Sequence, residues 1–310
     1  YFYPEDLDGS AGQEVIIAGF ETQPNTEAEY SNTALFILDV SAGNISDITT
    51  TLMPISASSV EGVGDVVWGD FNNDGTLDFF TTAYTDMDFA VNAYSFTGTS
   101  NGFERNQIDS ATWQHGASAL DINLDGYDDV YVVGYSGANL YFGSASGLLE
   151  YDVAGDFSTG SGVSLADFLN NGQVQAVVVD AGVVGTDVAD TVLFDVAIDD
   201  GAQTVTLTNI ATLPPPLLED SAFDEVFTMN AEHSHDVRVE ALDFNSDGLM
   251  DVIVFSRGSY VADLGEWVRV SQLQFLENEG GGVFSDVTST VLPDYNFESN
   301  VGYEPVFGDF

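Results

Sequence analysis

The pattern D-x-N-x-D-G-x-x-D constrains this chain more than any other feature, because each of its three copies leads directly into a strand-forming segment. The copies begin at Asp70, Asp121 and Asp243. The segments that follow them are rich in β-branched and aromatic residues, which favour strands. Repetition of one supersecondary unit is typical of architectures in which neighbouring units bury a shared core. The sequence therefore predicts an all-β chain built from repeats.

A fourth copy, which begins at Asp167, keeps the shape of the pattern and the strand after it. Leu169 and Gln175 stand where the full copies have Asn and Asp, and Asn171 replaces the middle Asp. Only one carboxylate remains. We therefore expect this copy to bind a metal ion weakly or not at all.

Partial copies stand near both ends of the sequence. In segment 6–17, Asp6 and Asp8 resemble the second half of a copy, and a two-residue insertion then places Glu14 at the last ligand position. Asp309 opens another copy within the last three residues. We expect these to be weaker, partial metal sites.

The spacing of the copies fits one four-stranded unit per repeat. Each copy is followed by a second β signal and then by a hairpin with a Gly, Asn or Asp turn, and helical periodicity is hard to find. We predict that residues 1–310 form one β-propeller domain of four-stranded blades, with about five repeats. The starts at Asp70, Asp121, Asp167, Asp243 and Asp309 are separated by 51, 46, 76 and 66 residues.

The oxygen-bearing residues of the pattern suit calcium. Side chains at the first, third and fifth positions point to one centre when the backbone curls around an ion. The Gly permits the sharp turn, the seventh carbonyl adds a ligand and the final carboxylate completes the shell. All-oxygen ligation in a flexible loop favours Ca²⁺ over Mg²⁺, and we expect about three full sites. The predicted ligands are Asp70, Asn72, Asp74, Thr76 and Asp78; Asp121, Asn123, Asp125, Tyr127 and Asp129; and Asp243, Asn245, Asp247, Leu249 and Asp251.

Two other interpretations of these segments are weaker. An EF-hand would need a Glu at its twelfth position, where this chain has Thr81, Val132 and Val254. It would also need a helix after the loop rather than a strand. Segments rich in Asp, Asn and Gly are also ordinary turns, but three copies in register before strands favour metal sites.

The charge of the chain excludes several classes of partner. The sequence has 51 acidic residues, 4 basic residues and a formal net charge of −47. Nucleic acid and anionic membrane surfaces would be repelled by such a field. Self-repulsion of this size favours bound cations or a salty medium. There is no Cys, so disulfides and thiol chemistry are absent, and no apolar stretch is long enough to span a membrane.

The pattern G-D-F-N-x-D-G-x-x-D at Gly69–Asp78, together with the run Leu276–Thr288, resembles the FG-GAP/VCBS repeat. The likeness extends over essentially the whole chain. This family builds the integrin α-subunit propeller, related bacterial surface proteins, some fungal lectins and domains attached to polysaccharide-degrading enzymes. The resemblance implies an extracellular calcium-binding propeller and says little about function. Family propellers usually have seven blades, so we expect either part of a larger propeller or a smaller closed ring.

A partner is expected at the end of the blades opposite the calcium loops, because long connections gather there and such loops commonly carry binding. Aromatic rings beside carboxylates suit sugar or protein recognition, although such rings also commonly pack between blades. The H-x-H pair at His233 and His235 is able to ligate a transition metal, but no third ligand is in view. The ligand-face candidates are Tyr30, Trp113, His115, Tyr135, His233, His235, Tyr260, Trp267 and Tyr303.

Three functions are compatible with these features. The first is a secreted or cell-surface adhesion or recognition module that binds glycan or a matrix or cell-surface protein. The second is a polysaccharide-active lyase or hydrolase, or its accessory domain. The third is a structural subunit of a surface layer or fibre, which binds copies of itself. No catalytic signature supports an enzyme, and we favour the first.

Overall fold

The computed structural model describes residues 2–5, 13–17, 33–41, 44–53, 59–60, 62–84, 91–111, 114–134, 137–155, 159–181, 190–214, 238–256, 259–261, 266–268 and 272–293. Regular structure in these residues is almost entirely β-strand, which confirms the all-β fold class. Neither of the two short helices in this part of the chain has the length and apolarity that a membrane span requires. The chain forms two compact units, Tyr1–Tyr151 (unit 1) and Asp152–Phe310 (unit 2). The prediction of one domain stays a prediction.

Unit 1 contains three sets of four antiparallel strands, and the last strand of the third set continues past Tyr151 into unit 2. Its strands are β1 (Phe2–Glu5), β2 (Gln13–Ile17), β3 (Thr33–Ala34), β4 (Phe36–Ser41), β5 (Asn44–Asp47), β6 (Ser59–Val60), β7 (Val63–Gly69), β8 (Asp78–Ala83), β9 (Val91–Thr99), β10 (Gly102–Ala111), β11 (Gln114–Leu120), β12 (Asp129–Gly134), β13 (Gly137–Phe142) and β14 (Leu149–Gly155). The first sheet has the order β1-β2-β4-β5, the second β7-β8-β9-β10, and the third β11-β12-β13-β14. Strand β3 pairs with β6 apart from these sheets.

Unit 2 contains two further sheets of the same kind. Its strands are β15 (Gly162–Ala166), β16 (Gln175–Ala181), β17 (Asp190–Asp199), β18 (Thr204–Thr212), β19 (Arg238–Leu242), β20 (Asp251–Ser256), β21 (Ser259–Val261), β22 (Glu266–Val268), β23 (Gln272–Gly280) and β24 (Val283–Asp286). The fourth sheet contains β15-β16-β17-β18 and, beside β18, the end of β14; the fifth is β19-β20-β23-β24, while β21 and β22 form a two-stranded ribbon. The end of β14, Asp152–Gly155, pairs in parallel with Thr204–Leu207 of β18.

Each predicted hairpin is present as the third and fourth strands of a sheet. The pairs β4–β5, β9–β10, β13–β14, β17–β18 and β23–β24 are all antiparallel. Loop segments with the repeated pattern join the first strand of a sheet to the second. The chain therefore runs through four neighbouring strands and then begins the next sheet.

Within each unit, consecutive sheets pack face to face, which explains why the second strands are apolar on both sides. In β8, Phe79 packs with Ile16 and Ile37 of the first sheet, and the adjacent Phe80 packs with Val130 of the third. Successive side chains of a strand point to opposite faces, so both faces of the second sheet are buried. In unit 2, one cluster joins residues of the fourth and fifth sheets, including Val177, Leu193, Val252 and Leu276.

The first strands of neighbouring sheets lie side by side, β7 with β11 and β15 with β19. Side chains join them. The Ala117 N–H donates to Asp65 Oδ2 at 3.0 Å, and the Ala241 N–H donates to Ser164 Oγ at 3.0 Å. Each unit therefore fixes its neighbouring sheets at their first strands by both apolar packing and hydrogen bonds.

Two short helical turns follow the outer strands of the first and fifth sheets, α1 (Thr49–Leu52) and α2 (Thr288–Val291). The same D-x-T motif begins both. Asp47 accepts the N–H of Thr49 at 3.0 Å, and Asp286 accepts the N–H of Thr288 at 2.9 Å. The buried hydroxyls then accept backbone N–H groups of the third strands, Ile37 at 2.8 Å and Phe275 at 2.9 Å. Each turn therefore joins the segment after the fourth strand of a sheet to the third strand of the same sheet.

Candidate metal centre

Four loops share one position in the fold, between the first and second strands of a sheet. We name them loop 1 (70–78), loop 2 (121–129), loop 3 (243–251) and the Asp167 loop (167–175). They belong to the second, third, fifth and fourth sheets respectively. Because the same sequence pattern occupies the same topological place each time, the loops are structural equivalents.

The backbone of each loop curls through two residues with positive φ. The sixth position is always glycine, with φ between 79° and 93°. The fourth position is Asn73, Leu124, Asn170 or Ser246, with φ between 51° and 62°. Asn adopts this left-handed conformation more readily than most residues, whereas a bulky apolar residue there is strained. Leu124 is the strained case, and its side chain is also 64% exposed.

Within loop 1 the predicted side-chain ligands accept hydrogen bonds from the loop's own backbone. Asp70 accepts the N–H groups of Asp74 at 3.0 Å and Gly75 at 2.8 Å. Asn72 Oδ1 accepts the Asp74 N–H at 3.0 Å, and Asp74 Oδ1 accepts the Thr76 N–H at 2.8 Å. Hydrogen bonds from Thr76 hold the pKa of Asp74 below its usual value. The curl therefore gathers three side chains on its inner side.

Loops 2 and 3 repeat this arrangement. The first-position Asp accepts two N–H groups, at 3.0 and 2.9 Å, in loop 2 and again in loop 3. The third-position Asn accepts the N–H of the fifth residue, at 3.1 Å in loop 2 and 2.9 Å in loop 3. The same Asn donates to the fifth-position Asp at 3.0 Å in both loops. Agreement across three loops shows that the pattern determines the local structure.

The ninth-position carboxylates are buried and bridge each loop to the third strand of its sheet. Asp78, Asp129 and Asp251 are each at most 1% exposed. One oxygen of Asp129 accepts the Ile122 N–H and the other the Gly143 N–H, both at 2.8 Å. Burial raises the pKa of Asp78 to about 6 and that of Asp129 to about 7, and it also raises the pKa of Asp251. Each loop therefore holds a carboxylate that a cation would stabilise in its charged form.

The donor chemistry of loops 1, 2 and 3 fits calcium. Each offers oxygens only, from three Asp side chains, one Asn and one backbone carbonyl, on a curled backbone. As the side chains are placed, no three His, Asp or Glu residues in the described part of the chain converge closely enough to hold a metal ion. Their oxygens accept backbone N–H groups instead. Ligation therefore requires these side chains to exchange some hydrogen bonds for an ion, with the backbone curl already formed.

The Asp167 loop keeps the curl without the full donor set. Asp167 accepts the N–H groups of Asn171 at 2.9 Å and Gly172 at 2.7 Å, as in the other loops. Gln175 replaces the buried carboxylate and accepts the Leu169 N–H at 3.1 Å. Leu169 packs against the apolar cluster between the fourth and fifth sheets. An apolar contact thus occupies the place of a ligand.

Glu14 takes the ninth position of the first sheet's loop segment. Glu5 pairs with Glu14 as Gly69 pairs with Asp78, and Glu14 is fully buried. Glu14 follows Glu5 by the same chain distance that separates Asp78 from Gly69. The segments between these two pairs therefore have the same length. Asp6, Asp8 and the predicted two-residue insertion lie outside the described residues, so the insertion stays a prediction.

Most of the aromatic and histidine candidates for the opposite face lie outside the described part of the chain. His115 lies in β11 and is 7% exposed, with its ring edge-on to Tyr84 at 4.8 Å. This burial favours packing over ligand binding. Tyr260 and Trp267 are directly paired across the β21–β22 ribbon, which forms the connection between β20 and β23. Outside the described residues are Tyr30, Trp113, Tyr135, His233, His235, Tyr303 and the partial metal residue Asp309.

Two acidic residues beside the loops were missed from the sequence. Asp128 accepts the N–H of Asp70 at 2.8 Å and so reaches from loop 2 to loop 1. Glu277 in β23 accepts the side-chain amide of Asn245 at 3.0 Å, which orients a predicted ligand of loop 3. Two consecutive acidic residues, Asp128 and Asp129, were a sign in the sequence that Asp128 has a role of its own. Nothing in the sequence placed Glu277 beside Asn245.

Comparison with known proteins identifies no family for this chain. No family model matches it, and no curated protein matches it. The resemblance to FG-GAP/VCBS repeats therefore stays a prediction.

Three of the solved structures that match this chain do so at low similarity. The V. cholerae biofilm matrix protein Bap1 is 14% identical with a TM-score of 0.43, over 90% of this chain and 37% of that one. A variant of AofleA from Arthrobotrys oligospora is 10% identical with a TM-score of 0.45, over 92% of this chain and 70% of that one. The α-L-arabinanase of Cellvibrio cellulosa is 10% identical with a TM-score of 0.37, over 94% of this chain and 95% of that one. At these values the likenesses carry no argument about this chain.

Proposed function

We propose that this chain is an extracellular, calcium-stabilised β-propeller module of the FG-GAP/VCBS type that recognises a glycan or a surface or matrix protein. The observation that carries the proposal is the repetition of one loop geometry between the first and second strands of successive four-stranded sheets. Sheets that pack face to face with adjacent first strands are what a propeller of such blades requires.

Calcium in loops 1, 2 and 3 would hold the blades by neutralising the carboxylates of these loops. Asp78, Asp129 and Asp251 are buried, and the chain has only 4 basic residues against 51 acidic ones. Calcium at a hundredfold excess over its Kd stabilises a folded chain by about 2.7 kcal/mol per site when the unfolded chain does not bind. Asp70, Asp121 and Asp243 would supply first ligands. The ion supplies positive charge, and the chain supplies the shape and the oxygens.

The partner would bind at the end of the sheets away from these loops. In an antiparallel meander, the connections between second and third strands lie at the end opposite those between first and second strands. The β21–β22 ribbon, with Tyr260 opposite Trp267, is one such connection. Aromatic residues on such a ribbon suit a sugar ring or a protein surface. A net charge of −47 places nucleic acid outside the expected partners.

Calcium stoichiometry tests the metal part of the proposal. Equilibrium dialysis of the chelator-treated, reloaded chain should give about three ions per chain, as the three complete oxygen-donor loops predict. Asp121→Ala should lower the stoichiometry by one ion, and Asp167→Ala, the matched change at the first position of the Asp167 loop, should leave it unchanged. Fewer than two ions per wild-type chain would overturn the assignment.

Glycan and matrix-protein arrays test the recognition part. Binding without turnover, weakened by Tyr260→Ala or Trp267→Ala and unaffected by Tyr151→Ala, is the expected result. Release of shortened or unsaturated sugar from a polysaccharide would indicate an enzyme instead. Calcium-dependent polymerisation of the purified chain would indicate a structural subunit.

A further inference from the structure

Loops 1 and 2 are joined by hydrogen bonds at the residue that opens loop 1. The Asp70 N–H donates to Asp128 Oδ2 at 2.8 Å, and the Asp128 N–H donates to the Asp70 carbonyl at 3.2 Å. A third bond runs from the Ser144 N–H to the Phe71 carbonyl at 3.1 Å. The first two residues of loop 1 are thus held by the sheet that carries loop 2.

Close packing reinforces this junction. A Cβ atom on Gly69 would lie 2.9 Å from Asp128 Cβ and 2.6 Å from the ring of Phe71. Asp128 therefore lies directly against the backbone of the residue that precedes loop 1. In unit 2 the corresponding positions hold Ala166 and Met250, and Met250 has no side-chain acceptor for an equivalent bond of this strength.

Asp128 also stands between two predicted ligands of loop 2. Tyr127 supplies the seventh-position carbonyl and Asp129 supplies the final carboxylate. Asp70, the partner of Asp128, is the predicted first ligand of loop 1. A single residue therefore connects the last two ligands of one loop with the first ligand of the next.

We propose that Asp128 couples the two loops, so that a calcium ion in either loop raises the affinity of the other. This inference rests on the calcium binding proposed above. An ion in loop 2 fixes Tyr127 and Asp129, and with them Asp128. The two hydrogen bonds then hold Asp70 in place for the ion of loop 1, which reduces the ordering cost of the second binding event. The effect is reciprocal by linkage, and couplings of this kind commonly amount to about 5–150-fold in affinity.

The charge of Asp128 acts in the same direction. Two cations bound in neighbouring loops repel each other, and a carboxylate at the junction offsets part of that repulsion. Hydrogen bonding and charge are separable by substitution. Asp128→Asn retains an acceptor oxygen for the Asp70 N–H but removes the charge, whereas Asp128→Ala removes both.

Luminescence of bound Tb³⁺, a calcium substitute, measures loop 2 directly. Tyr127 lies within loop 2 and sensitises an ion there, so competition of Ca²⁺ against Tb³⁺ in the full chain gives the affinity of that loop. Trp68 precedes loop 1 by two residues and sensitises an ion there, so the part of the signal that Tyr127→Phe removes is assigned to loop 2. Loop 1 is silenced by Asp74→Ala. We expect this change to weaken Ca²⁺ binding at loop 2 by about fivefold or more.

In the Asp128→Ala background, silencing loop 1 should change the affinity of loop 2 by less than about twofold, below the usual range of coupling. In Asp128→Asn most of the coupling should remain. Silencing loop 3 with Asp247→Ala should leave loop 2 unaffected in every background. If silencing loop 1 changes the Ca²⁺ affinity of loop 2 equally with and without Asp128, the proposed role of Asp128 is refuted.

The comparison of wild type with Asp74→Ala requires no change at Asp128, so it tests the coupling itself even if Asp128→Ala does not fold, and Asp128→Asn then tests the charge of that residue. Loop 2 affinity that is independent of loop 1 would overturn the coupling and leave the calcium sites standing. Absence of any bound Tb³⁺ or Ca²⁺ would overturn both the coupling and the proposed metal function.

Discussion

Asn278 donates its side-chain amide to the carbonyl of Phe168 at 2.8 Å, across 110 residues of chain. The same amide donates to the Met250 carbonyl at 2.9 Å, so Asn278 joins the Asp167 loop to loop 3. In unit 1 the carbonyl of Phe71, which occupies the same loop position as Phe168, accepts the Ser144 N–H. In both units, the second-position carbonyl of a loop is satisfied by the sheet that follows it. Neighbouring loops are therefore fixed to one another as well as to their own strands.

Replacement of Asn278 by Ala should destabilise the chain by about 1–3 kcal/mol, because two carbonyls lose their side-chain donor at a buried position. Urea unfolding of the full chain measures the change. Asn106→Ala removes an exposed amide bonded to Thr97 and serves as the control, with an expected cost below about 0.5 kcal/mol. Equal costs for the two variants would contradict a structural role for Asn278.

Leu124→Asn should stabilise the chain by about 0.5–1 kcal/mol. Leu124 has a φ of 61° and is 64% exposed, whereas Asn73 and Asn170 occupy the same loop position elsewhere. Asn tolerates the left-handed conformation better than Leu. Leu124→Ala separates the causes, because it removes the exposed apolar side chain but leaves a Cβ in the strained conformation. An unchanged melting temperature for Leu124→Asn would count against strain at this residue.

The metal-free chain should lose stability as the pH rises from about 4 to 7. The folded pKa of Asp129 is raised to about 7 by burial, and an unfolded Asp titrates near 3.9. The folded chain keeps a proton that the unfolded chain releases, so this contribution is complete below the unfolded pKa and lost as the pH passes the folded one. Each unit of pKa difference corresponds to about 1.4 kcal/mol.

Urea unfolding in a chelating buffer at a series of pH values measures this slope. Asp129→Asn should reduce it, whereas Glu104→Gln, an exposed acid on β10, should leave it unchanged. Saturating calcium should also reduce the slope, since the ion favours the charged carboxylate. An identical slope for wild type and Asp129→Asn would show that other groups govern the pH dependence.

Thr288→Val should destabilise the chain by about 1–3 kcal/mol, because the buried Phe275 N–H loses its acceptor. Thr49→Val should have an effect of similar size through Ile37. Thr290 and Thr51 are exposed within the same helical turns, and their Val variants are the matched controls. Circular dichroism during urea unfolding provides the comparison. Equal effects at buried and exposed positions would argue against the hydroxyl bridge.

The Asp167 loop should gain calcium when its donors are restored. Leu169→Asn, Asn171→Asp and Gln175→Asp together recreate the full pattern on a backbone that already has the required curl. We expect one additional ion per chain by equilibrium dialysis, with some loss of apo stability because Leu169 leaves its apolar contact. The triple variant with Asp167→Ala added should bind no additional ion. A stoichiometry that stays at the wild-type value would contradict the equivalence of the loops.

The sequence predicted those features that depend on neighbouring residues. The positions of the four loops, the strands after them and the third-to-fourth hairpins all follow from local patterns, and the structure contains them. The pairing of Glu5 with Glu14 places Glu14 at the position that Asp78 occupies in loop 1, as the sequence predicted for the last ligand position.

The sequence patterns did not predict the contacts between repeats. Asp128 and Asn278 act on loops 58 and 110 residues away, and only the packing of one sheet on the next brings the partners together. The short turns at Thr49 and Thr288 were missed for a different reason. A four-residue helix has no detectable periodicity, and its signal is a buried hydroxyl rather than an apolar stripe.

The Asp167 loop shows that the curl belongs to the chain rather than to an ion. It keeps left-handed residues at its fourth and sixth positions and the paired hydrogen bonds of its first Asp, although it has lost two carboxylates. In evolutionary terms, a repeat of this kind is able to lose or regain an ion by point substitutions, without insertions and without rebuilding a sheet. If the loops bind calcium as proposed, the number of ions is therefore free to follow the salinity and calcium level of the surroundings while the architecture stays constant.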